Sequence, residues 1–268
     1  MRGLHINYGP MSAERAELEI SEDAVLGGRL RLRQPRKGHR VGHDAILLAA
    51  ATDAHAGELA VDLGAGVGGA GLALARRVPG LKVVLVEIDP ALTWLASENA
   101  RLNRLDDRVS ALAGDAENSN ALATAGLAAG SIDRILMNPP FHDARRHNVS
   151  PDPRRRLAYA GAPGLLQRWV KSAAWLLKPG GVLNLIWRAD ELESVLGALT
   201  PGFGGIAVLP VLPRQDAAAI RVLVRAAKGG TGSPVTRPAL ILNDAQGRPT
   251  PAAEAVLRGG EALGLVEM

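Results

Sequence analysis

Residues 61–69 read VDLGAGVGG, and this stretch determines the predicted fold. Residues 58–61, which are apolar except for Glu58, indicate a short strand that runs into this stretch, and residues 70–78 after it indicate a helix that ends at Pro79-Gly80. A turn of several glycines between a strand and a helix leaves backbone N–H groups without partners and lets a ligand approach the main chain closely. The stretch therefore predicts a loop that binds a nucleotide-like cofactor.

The spacing of the glycines fits more than one class of protein. Gly64, Gly66 and Gly69 match the G-x-G-x-x-G fingerprint of dinucleotide-binding proteins, and Glu87 follows the next predicted strand, 82–86. Short glycine turns occur in many α/β proteins, so this match alone leaves a dehydrogenase open.

An acidic residue and a second motif favour another class. Asp62 lies two positions before the first glycine, and residues 138–141 read NPPF directly after the apolar segment 132–137. Together with the glycine loop and the acid that ends the second strand, they resemble the class I S-adenosylmethionine (SAM) methyltransferases. The NPPF sequence resembles the group of these enzymes that methylates planar nitrogens, which are adenine N6, guanine N2 or a glutamine side-chain amide.

The order of predicted elements supports the same class independently of the motifs. Strands that alternate with helices predict an α/β fold with a doubly wound, mostly parallel sheet. The last two strands have no helix between them and should pair antiparallel, which gives the seven-stranded sheet of class I methyltransferases. The predicted strands are 59–63, 82–86, 108–113, 132–137, 182–187, 205–212 and 218–225.

Length and composition predict one domain with short additions. The chain has 268 residues, no cysteine and a net charge of +4. We expect a flexible N-terminus (1–22), a methyltransferase domain (23–228) that begins with a hairpin around Gly27-Gly28, and a C-terminal appendage of the same domain (229–268). No apolar run reaches the length of a membrane span, and the N-terminus lacks the apolar core of a secretory signal, so a cytoplasmic protein is expected.

The resemblance implies how SAM would be held. The glycine loop would approach the amino-acid end and the ribose, Glu87 would accept both ribose hydroxyls, and Asp115 would bind the adenine amine. Asp62 would anchor the loop or pair with the SAM ammonium. Asp44 would lie near the methionine end, although Asp44 or His43 could equally cap the helix that begins there. The implied cofactor-binding residues are Asp44, Asp62, Gly64, Ala65, Gly66, Glu87, Asp115 and Asn138.

The NPPF motif predicts the reaction centre. An amine on an aromatic ring is a poor nucleophile because its lone pair is delocalised. The side-chain carbonyl of Asn138 and the backbone carbonyl of Pro139 can each accept one N–H of that amine, which aims its lone pair at the methyl group. Pro140 stiffens the loop, and Phe141 offers a face on which a flipped-out base can stack. No metal site is predicted, because no third ligand accompanies the two histidines at 39 and 43.

Basic residues near this motif suggest a nucleic-acid substrate. A long basic loop follows Phe141, and arginine binds phosphate through its forked guanidinium. A solvated surface loop is the alternative. The predicted RNA-binding residues are Arg40, Arg145, Arg146, Arg154 and Arg155. A second set, Arg29, Arg31 and Arg33, alternates along a predicted strand near the N-terminus, either as a charged strand edge or as a phosphate-contacting strip.

Residues 38–48 and the C-terminal tail resemble the tRNA adenine-N6 methyltransferases, those that modify an anticodon-loop adenine of a valine tRNA. The resemblance therefore implies transfer of a methyl group to an exocyclic amine of an RNA base, with adenine N6 in tRNA favoured. Guanine N2 in rRNA and a protein glutamine N5 are alternative acceptors. A SAM-binding module without enzymatic activity is a further alternative.

Overall fold

The computed structural model describes residues 19–38, 40–140 and 164–265 of the chain. Its main element is a mostly parallel sheet covered by helices on both faces, preceded by a β-hairpin. The strands are β1 Ile20–Val25, β2 Leu30–Pro35, β3 Leu59–Leu63, β4 Lys82–Glu87, β5 Val109–Ala113, β6 Ile132–Met137, β7 Leu177–Arg188, β8 Phe203–Leu212, β9 Arg221–Lys228, β10 Val235–Thr236 and β11 Leu240–Ile241. The helices are α1 His43–Ala51, α2 Gly69–Arg77, α3 Pro90–Leu102, α4 Ser119–Thr124, α5 Leu165–Leu176, α6 Leu192–Leu199 and α7 Pro251–Leu257.

The order of strands in the main sheet confirms the predicted fold class. The strands lie in the order β10-β8-β9-β7-β6-β3-β4-β5, and β11 also pairs with β8. Strands β3 to β7 are parallel to their neighbours among themselves, whereas β9 is antiparallel to both β7 and β8. The seven predicted strands are therefore present, and two short strands of the C-terminal segment extend the sheet beyond β8.

The sheet separates two apolar cores. Its strands are buried on both faces, as expected for parallel strands between helices, and so they appear in the sequence as nearly continuous apolar runs. Ala60 and Leu136 face the core under α1, α2 and α3, whereas Val61, Leu63 and Met137 face the core under α5 and α6. Because β3, β4 and β6 are parallel, their carboxyl ends lie together along one edge of the sheet, between these two cores.

Side-chain capping differs from helix to helix. Asp89 caps α3, accepting a hydrogen bond from Ala91 N at 2.8 Å. Helix α1 begins after Gly42 without a side-chain cap, and both His43 and Asp44 lie in its first turn, so the proposed capping role was wrong for both residues. The side chain of Asn118 caps helix α4 by accepting a hydrogen bond from Ala121 N at 3.1 Å, and this helix begins at Ser119.

The N-terminal hairpin and the C-terminal segment both pack on the main domain. The hairpin turns through Gly27 and Gly28, whose φ angles of 61° and 89° favour glycine. Strand β1 begins at Ile20, inside the stretch predicted to be flexible, while residues 1–18 lie outside the described chain. At the other end, Val256 and Leu265 contribute to the core below α1. The Gly-rich composition after residue 228 thus accompanies packed structure.

Asn99 of α3 and Asn103, directly after its last residue, hydrogen-bond the edge of β2 that β1 leaves open. Asn103 Oδ1 accepts from Arg31 N at 2.9 Å, and its Nδ2 donates to Arg31 O at 2.6 Å. Asn99 binds Arg33 in the same manner, accepting from its N–H at 2.7 Å and donating to its carbonyl at 2.9 Å. Asn99 Nδ2 also donates to Val67 O at 3.0 Å, so one side chain joins the hairpin to the glycine loop.

The asparagine contacts predict a measurable loss of stability. Asn103→Ala leaves the Arg31 N–H and C=O without their partner, and we expect the free energy of unfolding to fall by about 1–3 kcal/mol. Urea denaturation followed by circular dichroism measures this change. Asn120→Ala, at an exposed position of α4, is the control and should change stability by about 0.5 kcal/mol or less. Equal stability of the two variants would contradict the role given to Asn103.

Candidate functional site

The predicted site residues meet at the carboxyl ends of β3, β4 and β6. In the sheet, Leu63 is in register with Val86 on one side and with Met137 on the other. The residues that follow these partners are Gly64, Glu87 and Asn138, so the glycine loop, the second acid and the NPPF motif begin side by side. This edge of an open α/β sheet is where ligands bind.

Glu87 holds the glycine loop in place. It is 8% exposed, and its Oε2 accepts a hydrogen bond from Gly66 N at 2.9 Å, while Oε1 accepts from Asp89 N at 2.9 Å. Burial raises the pKa of this carboxyl above its ordinary value, and the two backbone N–H bonds act in the opposite direction. Binding of both ribose hydroxyls by Glu87 stays a prediction.

Asp62 lies behind the glycine loop. Its carboxyl is 2% exposed, and Oδ2 accepts a hydrogen bond from Gly71 N at 2.8 Å in the first turn of α2. Burial raises the pKa of Asp62 to about 7, with a smaller contribution from the negative charge of Glu87. Of the two roles considered for Asp62, this contact supports the anchoring of the loop.

The N–H groups of the loop are not all free, in contrast to the prediction. Ala65 N donates to Val86 O at 2.9 Å, and Gly66 N donates to Glu87 as described above. Gly64, Gly66 and Gly68 have φ angles of 69°, 56° and 91°, which other residues adopt rarely. A β-carbon on Gly66 would meet no described atom within 4 Å, so the loop is open to a ligand at this position.

Sequence reasoning missed Trp169, which packs against the loop. A β-carbon on Gly64 would lie 2.3 Å from Cη2 of the Trp169 ring, so the indole occupies the space that a larger residue would need. Trp169 is 7% exposed, and its Nε1 is buried without a hydrogen-bond partner in the described residues. Its helical spacing with Leu165, Leu166 and Ala173 indicates a core position, but no sequence signal pairs it with Gly64.

The contact predicts that even a small side chain at Gly64 impairs the loop. In Gly64→Ala, the methyl group would overlap Trp169 and the φ angle would be strained. We expect SAM affinity to fall by about tenfold, corresponding to roughly 1.4 kcal/mol, as measured by isothermal titration calorimetry. Gly66→Ala has a similar φ but open space around it, so it should bind SAM more tightly than Gly64→Ala. The opposite ranking would contradict the role of the indole.

Asn138 presents an unused acceptor at this edge. Its Oδ1 is buried and has no hydrogen-bond partner in the described part of the chain. Pro139 is buried beside it, and Pro140 is half-buried. The last residue of the motif, Phe141, and four of the predicted RNA-binding residues lie outside the described residues, namely Arg145, Arg146, Arg154 and Arg155.

Three further predicted residues make defined contacts. Asp44 forms an ion pair with Arg221 at the start of β9 (Oδ2 to Nε, 2.9 Å), and sequence reasoning did not identify Arg221. Asp115 Oδ1 accepts a hydrogen bond from Glu117 N at 2.9 Å, which leaves its predicted role towards adenine untested. Arg40 donates to Asp23 at 2.6 Å and to Ser21 Oγ at 3.0 Å, contacts that stabilise the hairpin.

The described residues contain neither a membrane-spanning helix nor a metal-binding cluster. No helix within 19–38, 40–140 and 164–265 is both long and apolar enough to cross a membrane. Over the same residues, His, Asp and Glu side chains form no group of three or more that could hold a metal ion.

The fold and this site define a class I methyltransferase domain, and SAM is the cofactor of that class. The residues present fit SAM, because the edge combines an open glycine loop, a buried carboxylate and an unused acceptor. A model of the methyltransferase small domain family matches residues 39–209, and the chain belongs to this family.

Individual relatives differ in their acceptors. A tRNA1(Val) (adenine(37)-N6)-methyltransferase of Porphyromonas gingivalis is 34% identical over 160 residues, which cover 58% of this chain and 61% of the relative. A release factor glutamine methyltransferase of Moorella thermoacetica is 35% identical over 140 residues, covering 50% of this chain and 47% of the relative. The crystal structure of Atu636 from Agrobacterium tumefaciens, described as a predicted O-methyltransferase, has a TM-score of 0.70 at 28% identity and covers 82% of this chain and 98% of its own.

Proposed function

We propose that this protein transfers a methyl group from SAM to an exocyclic amine of an RNA base, namely adenine N6 in tRNA. The observation that carries the proposal is the buried and unused Oδ1 of Asn138 next to the glycine loop. A buried acceptor without a partner is costly, so a ligand that donates a hydrogen bond there is favoured.

The chain's own residues would make the amine a better nucleophile by orienting its nitrogen lone pair. SAM supplies an electrophilic methyl group when bound. Asn138 Oδ1 accepts one N–H of the acceptor amine and the Pro139 carbonyl accepts the other, which turns the nitrogen lone pair out of the ring plane. Because Pro139 is buried and its ring restricts the backbone, these acceptors need little reorganisation when the substrate binds. The same two acceptors would hold the amine in line with the methyl group.

Two features support RNA as the substrate. The Porphyromonas gingivalis relative is a tRNA adenine-N6 methyltransferase, although the alignment covers only 61% of its length. The chain is also basic, with 31 lysines and arginines against 27 acids, and several of its arginines follow the NPPF motif. The anticodon-loop adenine of a valine tRNA is the proposed target, and a protein that modifies tRNA would act in the cytoplasm.

The product nucleoside tests this proposal. The purified chain is incubated with labelled SAM and total tRNA from a strain that lacks the gene, and the digested nucleosides are identified by mass spectrometry. We expect labelled N6-methyladenosine. Labelled N2-methylguanosine would contradict the adenine assignment, and tRNA without label would contradict tRNA as the substrate.

A protein glutamine is the second candidate acceptor. The Moorella thermoacetica relative is a glutamine methyltransferase, and a side-chain amide presents the same planar N–H groups to Asn138 as an aromatic amine does. Incubation with release factors and labelled SAM tests this candidate. Labelled protein together with unlabelled tRNA would favour it over the RNA proposal.

A further inference from the structure

The outer face of the N-terminal hairpin carries a row of cations. The side chains of Arg31 and Arg33 are 61% and 43% exposed and lie on the same face of β2. Leu30 and Leu32 alternate with them and are fully buried, so the core fixes which face the arginines occupy. Beyond the end of the strand, Arg36 and Lys37 are exposed as well.

One carboxylate on this face balances only part of the charge. Glu22 of β1 pairs with both Arg31 and Arg33, and its Oε2 lies 3.2 Å from Arg33 Nε. Each guanidinium has five N–H donors, so contact with one carboxylate leaves donors for an anion. The other acid of β1, Asp23, is bound to Arg40 and Gln34 and lies on the opposite face.

Two further cations lie at the C-terminal end of α3 and just beyond it. Arg104 is exposed and directly follows Asn103, which hydrogen-bonds the backbone of Arg31. The side chain of Arg101 is 49% exposed and pairs with Glu98. We call the surface formed by Arg31, Arg33, Arg36, Lys37, Arg101 and Arg104 the hairpin face.

The hairpin face is held next to the cofactor loop. Asn99 accepts a hydrogen bond from Arg33 N and donates one to Val67 O, so a single side chain separates the arginine row from the turn after Gly66. Further along the chain, Val41 packs against Gly69 at the start of α2. A strand advances about 3.3 Å per residue, so Arg31 and Arg33 lie about 7 Å apart along β2.

We propose that the hairpin face binds the phosphate backbone of the RNA substrate next to the methylated base. This inference rests on the proposed RNA methyltransferase function. Arg31 and Arg33 alternate with buried leucines on a strand, so their guanidinium groups are held in place to bind neighbouring phosphates. The apolar inner face and the asparagine contacts would maintain the spacing.

The salt dependence of tRNA binding tests this surface. The double variant Arg31→Gln/Arg33→Gln removes two exposed cations from the outer face of β2. Binding of tRNA to this variant is measured by fluorescence anisotropy at several salt concentrations, from low to moderate. We expect affinity at low salt to fall about tenfold and the slope of log K against log salt to shrink by about 1.5, since each phosphate contact contributes about 0.7–0.9. SAM affinity should not change.

A matched control removes the same charge elsewhere. Lys82 and Lys178 lie at the starts of β4 and β7, at the opposite edge of the sheet, and both are exposed. Lys82→Gln/Lys178→Gln should leave the salt slope within about 0.3 of that of the unchanged protein. An equal loss of slope in both double variants would overturn the proposal, because the effect would then come from net charge.

A third variant gives a change of the opposite sign. Glu22→Gln releases Arg31 and Arg33 from their carboxylate, and we expect tRNA to bind about two- to threefold more tightly. A folding defect cannot produce this gain. If tRNA binding is unchanged in both Glu22→Gln and the double arginine variant, the phosphate-binding role of the hairpin face is contradicted, and the proposed function is not affected. If the unchanged protein fails to bind tRNA, the proposed function itself is contradicted.

Discussion

Asn138→Ala is expected to lower the rate of methyl transfer by about 100- to 1,000-fold, the usual effect of removing one preorganised group that acts on the transition state. The acceptor Oδ1 of Asn138 is buried without a hydrogen-bond partner in the described residues, and the alanine variant removes it. SAM affinity should fall by no more than about tenfold, the loss of a single cofactor contact, because Glu87 and Asp62 hold the glycine loop independently of Asn138. Single-turnover rates and SAM titration measure the two quantities.

The Asn138→Asp variant serves as the matched control. A carboxylate at this position keeps an acceptor of the same size, so it should retain more activity than alanine. An alanine variant that keeps more than a fifth of the rate would contradict the role of Asn138. So would a loss of SAM affinity as large as the loss of rate, because Asn138 would then act on the cofactor.

The strands of the sheet and the residues that follow β3, β4 and β6 could be predicted, because short sequence patterns indicate them. Apolar runs between glycines and acids define β3, β4 and β6, and parallel pairing necessarily brings the residues after them together. Gly64, Glu87 and Asn138 therefore become neighbours for a topological reason. Their positions follow without any knowledge of side-chain contacts.

Contacts between distant parts of the chain could not be predicted. Asn103 binds the backbone of Arg31, 72 positions away, and an asparagine at the end of a helix gives no indication of such a partner. The packing of Trp169 on Gly64 is of the same kind, because helical spacing shows only that the indole is buried. The internal hydrogen bonds of Ala65 and Gly66 were also unexpected, since the glycines predicted an open loop but not the acceptors near it.

The buried carboxyl of Asp62 is expected to make stability depend on pH. Its pKa is raised to about 7 in the folded protein from 3.8, chiefly by burial. Between these two values the unfolded chain loses the proton while the folded protein retains it, so the free energy of unfolding falls as the pH rises. At 1.36 kcal/mol per pKa unit, the decrease is on the order of 4 kcal/mol by pH 8, and it is complete above the folded pKa. Urea denaturation between pH 4.5 and pH 8 measures it.

Comparison with Asp62→Asn isolates this carboxyl from the other titrating groups. The amide oxygen can still accept from Gly71 N but carries no charge, so the variant should gain stability relative to the unchanged protein as the pH rises from 4.5 to 8. Asp133→Asn is the control. Burial acts to raise the pKa of Asp133, but hydrogen bonds from Lys178 and Leu59 N, together with the nearby positive charges, outweigh burial and lower the pKa. Asp133 is therefore ionised in both states over this range, and the stability difference should stay constant. A constant difference for Asp62→Asn as well would mean that Asp62 is already ionised at pH 4.5 in the folded protein, and its burial would then need a cation that the described residues around Gly71 do not supply.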